Sequence, residues 1–246
     1  MSKRPIYISF ASPKGGVGKT TLTMFAASYL HYHGGYNVAV VDCNYPLYSI
    51  ANERVKEIEY MKCDDRGFKR FLEIRKQSQK GSYPIVNSSI KSVMKDLKEL
   101  RMSEDYDIIL FDLPSLMSVY GTSELLTSMD IVIFPITDCE RAVDTTTRYI
   151  ETLNEHIITT GKSTIKEIYL LRNRINTAES HHALDDAMDR LLVLSGAEVM
   201  ESVIGYNRKH IPANTLCLPK LNNHYKHLVE MVEELKTIII NQWRES

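Results

Sequence analysis

The stretch that most constrains this chain is the apolar run Ile6–Phe10, which leads directly into Ser12-Pro-Lys-Gly-Gly-Val-Gly-Lys-Thr-Thr21 and a helical pattern from Thr20 to His31. A short strand, a glycine-rich turn and a helix form the front half of a βαβ unit, so the pattern commits the chain to a parallel sheet with crossover helices. The common phosphate loop reads G-x-x-x-x-G-K-[ST]. Here Gly18, Lys19 and Thr20 match its end, Pro13 takes the place of its first glycine, and Lys14 adds a second cation before Gly15 and Gly16. Backbone N–H groups from Gly16 through Val17 and Gly18 to Thr20, at the positive end of the following helix, are expected to surround a phosphate, with Thr21 in the same turn. Lys19 would bridge phosphate oxygens, and the Thr20 hydroxyl would ligate Mg²⁺.

The remaining apolar runs repeat the alternation. Strands are expected at Val38–Val41, Ile108–Phe111, Ile131–Phe134, Ile165–Leu171 and Val199–Ile204. Helices are expected at Ile90–Leu100, Ser123–Ser128, Arg141–His156, His181–Leu194 and Tyr225–Trp243. The stretch from Glu53 to Ser89 reads as one or two helices plus a connection ending at Tyr-Pro-Ile-Val, with a local basic excess that is expected to be a solvated face. The fold class is therefore α/β: three layers, a mostly parallel twisted sheet covered by helices on both faces, of the P-loop NTPase type.

With 246 residues, 43% of them hydrophobic, the chain can bury one such sheet and has little to spare, so one domain over 1–246 is expected. A net charge of -1 excludes coating nucleic acid by bulk charge; any such contact needs a local patch. The cysteines Cys43, Cys63, Cys139 and Cys217 lack C-x-x-C spacing, which disfavours zinc and a disulfide framework. Neither a secretory signal nor a membrane span is expected, which places the chain in the cytoplasm. Leu228, Met231, Val232, Leu235, Ile238 and Ile239 form one stripe, expected to pack on the sheet. His181 and His182 lack the i, i+4 spacing of a helical metal pair and are read as capping or surface residues.

The string Lys-Gly-Gly-Val-Gly-Lys-Thr-Thr resembles the deviant Walker A loop of the ParA/MinD family of ATPases. The resemblance extends over nearly the whole chain. It implies that Lys14 reaches across an ATP-dependent homodimer to phosphates held by the partner subunit. It further implies that "NVAVVDCNYP" is the first switch, with Asp42 and Asn44, and that "YDIILFDLPS" is the second, with Asp112 and Ser115. Lys14, Lys19 and Asp112 would then be catalytic, and Thr20, Asp42 and Asp112 would serve Mg²⁺. Asn173 would read adenine, and "VIGYNRKHIPANT" would form a second loop near the base. Within the family, the chain looks most like ParA-type proteins of Bacteroidetes conjugative elements, often labelled TraA-like. Thirteen residues precede Lys14, so the N-terminal DNA-reading domain of longer relatives is not expected.

Two positions depart from the family pattern. Asn44 stands where a second aspartate is usual, and an amide cannot accept a proton as a carboxylate can. Ser115 stands where glycine or proline is frequent. ATP binding with slow hydrolysis is the expected outcome. The leading function is a nucleotide-switched dimer that positions or partitions DNA, or maintains a conjugative element, with a ParB-like or conjugation partner. Arg172, Arg174, Arg208 and Lys209 are the residues put forward for nonspecific DNA. The alternatives are a hydrolysis-defective ATP-bound scaffold and, less favoured, an ATP-dependent biosynthetic ligase.

Overall fold

The computed structural model describes residues 4–78, 80–115, 119–137, 139–176, 197–206, 215–218 and 221–245, with isolated positions between 185 and 192. Strands β1 (Ile6–Phe10), β2 (Val38–Asp42), β3 (Ile85–Asn87), β4 (Ile108–Asp112), β5 (Ile131–Ile136), β6 (Glu167–Ile175) and β7 (Glu198–Gly205) form one sheet in the order β3-β2-β4-β1-β5-β6-β7. All pairings are parallel. Every residue of β1, β2, β4 and β5 is buried, as strands covered on both faces require.

Alternate side chains feed two cores. Ile8, Phe10, Val40 and Leu110 pack with helix α1 (Lys19–Tyr32) and the C-terminal helix α7 (Lys226–Glu245). Tyr7, Val41, Phe111 and Phe134 pack on the other face with residues of α4 (Val93–Ser103), α5 (Thr122–Leu126) and α6 (Glu140–Thr160). Met231, Val232, Leu235 and Ile239 of α7 are fully buried against β7 and α1. Each such side chain contributes about 1.5–3 kcal/mol of burial.

The stretch from Glu53 to Ser89 holds helices α2 (Ser49–Cys63) and α3 (Asp65–Ser78) and then the edge strand β3, which the sequence had given only as a connection. Tyr-Pro-Ile-Val has too little alternation to announce a strand; its pairing with β2, Val40 to Ile85 and Val41 to Val86, makes it one. The helix expected at His181–Leu194 falls mostly outside the described residues, as do His181, His182, Arg208 and Lys209. Among the described residues, no helix is long and apolar enough to cross a membrane.

Candidate nucleotide and magnesium site

Because β1 is central and its neighbours β4 and β5 are both reached by crossovers, the carboxyl ends of β1, β2 and β4 open into one crevice. The glycine loop lies there. Gly16 at φ +80° and Gly18 at φ +94° adopt left-handed backbone that a side chain would strain. Gly18 caps α1 without a side-chain hydrogen bond, and no acid lies in the first turn. The first amides of α1 are therefore left for an external anion.

The loop is held from behind by the end of β6. Asn173 Nδ2 donates to the Val17 carbonyl at 2.7 Å, and Arg174 Nη1 to the Gly16 carbonyl at 2.6 Å. A trans peptide sets C=O and N–H in opposite directions, so pinning these carbonyls turns the Val17 and Gly18 amides away from β6. Arg174 reaches the loop from φ 59°, at a register shift between Asn173 and Ile175 that re-aims its side chain. Asn173 is 4% exposed and packs beneath the loop; a Cβ on Gly18 would meet its Nδ2 at 3.3 Å. The residue put forward as a base reader is thus engaged with the loop, and Arg174, put forward for DNA, is engaged there too. Arg172 forms an ion pair with Asp185 at 3.5 Å.

Lys19 is buried at the first position of α1, where loss of solvent lowers its pKa and the Asp112 charge opposes that shift. Lys14 is exposed; its Nζ donates to the Arg141 carbonyl near the start of α6 at 3.2 Å. Gly15 is exposed beside it, and Thr21, in the first turn of α1, is half-buried.

Asp42 and Asp112 are opposite one another in the β2–β4 register, and both are fully buried. Asp42 accepts from the Asn44 amide at 3.1 Å with Oδ1, and from the Ile50 and Ala51 amides at 2.8 and 3.3 Å with Oδ2. Its burial raises the pKa and these three hydrogen bonds lower it. Asp42, expected at the metal, is placed as the anchor of the α2 N-terminus. Asp112 differs. Its Oδ2 accepts from Thr20 Oγ1 at 2.9 Å and from Asn44 Nδ2 at 2.5 Å, while its buried Oδ1 has no hydrogen-bond partner among the described residues. Burial, then the Asp42 charge, push Asp112 up to about 7 against the opposing Thr20, Lys19 and Asn44. Ser115 follows in the loop after β4, half-buried.

A hydroxyl and a carboxylate oxygen without a donor are hard oxygen ligands that fit Mg²⁺, an ion that takes few protein ligands and completes its shell with water and phosphate. Among the described residues there is no group of three or more His, Cys, Asp or Glu placed to hold a metal ion. Sequence reasoning missed the links from β6 to the loop: Asn173 and Val17 are 156 residues apart, and nothing local to either announces the contact.

The nucleotide-binding family described as CobQ/CobB/MinD/ParA matches residues 8–214. None of the curated proteins compared with the chain matches it. Solved structures share its fold. The MinC:MinD cell division protein complex of Aquifex aeolicus is 17% identical at a TM-score of 0.61, covering 94% of this chain and 96% of that one. A plasmid partition protein of Borrelia burgdorferi bound to AMPPNP is 19% identical at 0.59, covering 96% and 99%. The pNOB8 ParA bound to nonspecific DNA is 17% identical at 0.58, covering 97% and 99%. A glycine loop behind β1, a helix N-terminus open to anions and Asp112 at the next strand end are thus the local features of a chain that belongs to the CobQ/CobB/MinD/ParA nucleotide-binding family.

Proposed function

We propose that the chain is an ATP-binding switch protein of the ParA type, one unit over residues 1–246 that dimerises on ATP and hydrolyses it slowly. The support is a conjunction at one end of the sheet: an uncapped α1 N-terminus, the Lys19 ammonium, and Asp112 with one oxygen bonded and one left over. Lys19 and the α1 amides bind and orient the β- and γ-phosphates. Thr20 and Asp112 hold Mg²⁺, which when bound neutralises charge on the phosphate oxygens. Asn44 supplies an amide where turnover calls for a proton acceptor, and that amide is already donated to Asp112. Lys14 belongs to a deviant Walker A loop in this reading. Its exposure supports service to the phosphates of a second copy.

The cellular role we propose is DNA partitioning, positioning or maintenance of a conjugative element in the cytoplasm, with a ParB-like or conjugation partner and a TraA-like ancestry. It is supported by neighbours that are a partition protein and a ParA on nonspecific DNA. Arg172 and Arg174 already have protein partners, so direct DNA contact would draw on other cations of the dimer.

One observation favours a second reading. The Asn44–Asp112 hydrogen bond suits a scaffold that holds ATP without hydrolysing it. Mg²⁺-dependent single-turnover hydrolysis by wild type and Asn44→Asp separates the two. Slow wild-type turnover that the aspartate accelerates supports the switch; no turnover in either supports the scaffold; equal turnover in both removes Asn44 from catalysis. Lys14→Ala should keep ATP binding and lose ATP-dependent dimers by light scattering, whereas unchanged dimers would remove the lysine from the interface.

A further inference from the structure

Consecutive residues of a regular strand point to opposite sides of its sheet, yet at the end of β6 two neighbours, Asn173 and Arg174, serve the same loop. A bulge makes this possible. From Asn173 to Ile175 strand β6 advances two residues while β7 advances one, from Ile204 to Gly205, so Arg174 is the extra residue. It lies at φ 59°, in the left-handed region that a residue with a side chain enters at a cost in stability. Among the described residues the only other non-glycine at positive φ is Tyr48, at φ 40°, just before α2. Strained backbone is thus found at the carboxyl end of β6 and in the turn that follows β2.

The loop reached by Arg174 is one that needs holding. Gly15, Gly16 and Gly18 leave it little conformational preference of its own, and ordering such a segment is entropically costly. Two successive carbonyls, of Gly16 and Val17, are fixed by Arg174 and Asn173 at 2.6 and 2.7 Å, so the two amides that follow them turn together towards the crevice as a concave pair of donors. Asn173 is buried and makes its bond from beneath the loop, whereas Arg174 is exposed and has no ion pair among the described residues. An exposed arginine at a strained position, bonded to a neutral carbonyl, is not what packing or solvation of the fold asks for.

We infer that Arg174 is a positioning residue for phosphate binding: the chain gives up stability at this bulge to hold the glycine loop in its anion-binding shape before nucleotide arrives. The inference rests on the ATP site proposed above and adds a residue to it. Arg174 acts through the Gly16 carbonyl, so its effect falls on the triphosphate and is indifferent to the base. A loop already in shape binds phosphate without the cost of ordering it at that step.

The test is calorimetric titration of ATP, and of inorganic triphosphate by displacement, into the full chain as wild type, Arg174→Gly, Arg174→Asn and Arg174→Lys, with the melting temperature of each. Glycine and asparagine accept left-handed backbone and are too short to reach Gly16, while lysine keeps a charged donor on a long stem. Arg174→Gly and Arg174→Asn should weaken ATP and triphosphate alike, about tenfold, at a melting temperature equal to or above that of wild type. Arg174→Lys should recover most of the affinity. Weakening of ATP alone would make Arg174 a base contact, and a melting temperature that falls together with the affinity would make it a structural residue; either result overturns the assignment, as does wild-type affinity in Arg174→Gly. Wild type that binds neither ligand would overturn the ATP site itself, and this assignment with it.

Discussion

The two ends of β1 and β4 are built from opposite chemistry. At the carboxyl ends, polar groups are buried and aimed: Thr20, Asn44 and Asp112 share hydrogen bonds, and the loop carbonyls are pinned by Asn173 and Arg174. At the amino ends, Met94 and Met102 of the neighbouring helix α4 are left in the open, beside charged residues of both signs: Lys98, Arg101, Glu104 and Asp105. Within the polar end a finer contrast repeats the lesson. Asp42 and Asp112 occupy the same level of the sheet, yet one has its carboxylate taken up by backbone amides and the other keeps an oxygen in reserve. Position in the fold does not assign a buried carboxylate its role; the donors around it do.

The largest effect expected is at Lys19. Lys19→Ala should weaken ATP binding at least about 100-fold by calorimetry while leaving the melting temperature unchanged or raised, because it removes a desolvated ammonium. Next comes the carboxylate contrast. Asp42→Ala should destabilise the chain by about 2–4 kcal/mol in urea unfolding, since it strips an acceptor from three amides, two of them opening α2. Asp112→Asn should cost much less stability but should remove the strengthening of ATP binding by Mg²⁺. Equal destabilisation by both substitutions would break the comparison.

The pH dependence should follow in the same terms. Asp112, raised to about 7, binds its proton more tightly in the fold than in the unfolded chain, so it destabilises the nucleotide-free protein progressively as pH rises through the ordinary carboxylate range to about 7. His31 works in the opposite sense: burial lowers its pKa, so its contribution to stability is lost as pH falls. The difference between wild type and Asp112→Asn isolates the first group. Melting temperatures from about pH 5 to about pH 8 should fall more steeply for wild type than for the variant. A smaller shift is expected for Asn44→Asp. It sets a second carboxylate against Asp112, destabilising the nucleotide-free protein by about 1 kcal/mol, and Mg²⁺ with ATP should reverse the loss. The smallest is Met94→Ala, which should stay within about 0.5 kcal/mol because its side chain is largely solvated.

Much of this was legible in the residues. The alternation of apolar runs placed six of the strands, and the string from Lys14 to Thr21 placed the loop at the end of β1. What local pattern could not carry was whatever depends on long-range pairing. Ile85–Asn87 became a strand through β2, Asn173 and Arg174 turned towards the loop through a bulge, and Asp42 was drawn to the α2 amides. The tether of α2 belongs to the same class: Arg54 lies over the Tyr83 ring and donates to Thr215, 161 residues away, and Glu57 accepts from the Thr215 amide across 158 residues. The exposure of Met94 and Met102 was hidden for another reason, since a helix period tells which face is apolar but not that a second, mixed face is left uncovered.

The most direct test of the polar end is calorimetric titration of ATP into wild type, Lys19→Ala and Asp112→Asn, each with and without Mg²⁺. The account predicts one ATP per wild-type chain, bound more tightly with Mg²⁺, with the Mg²⁺ increment gone in Asp112→Asn and binding lost in Lys19→Ala. Wild-type binding that is indifferent to both substitutions, or absent altogether, would contradict it.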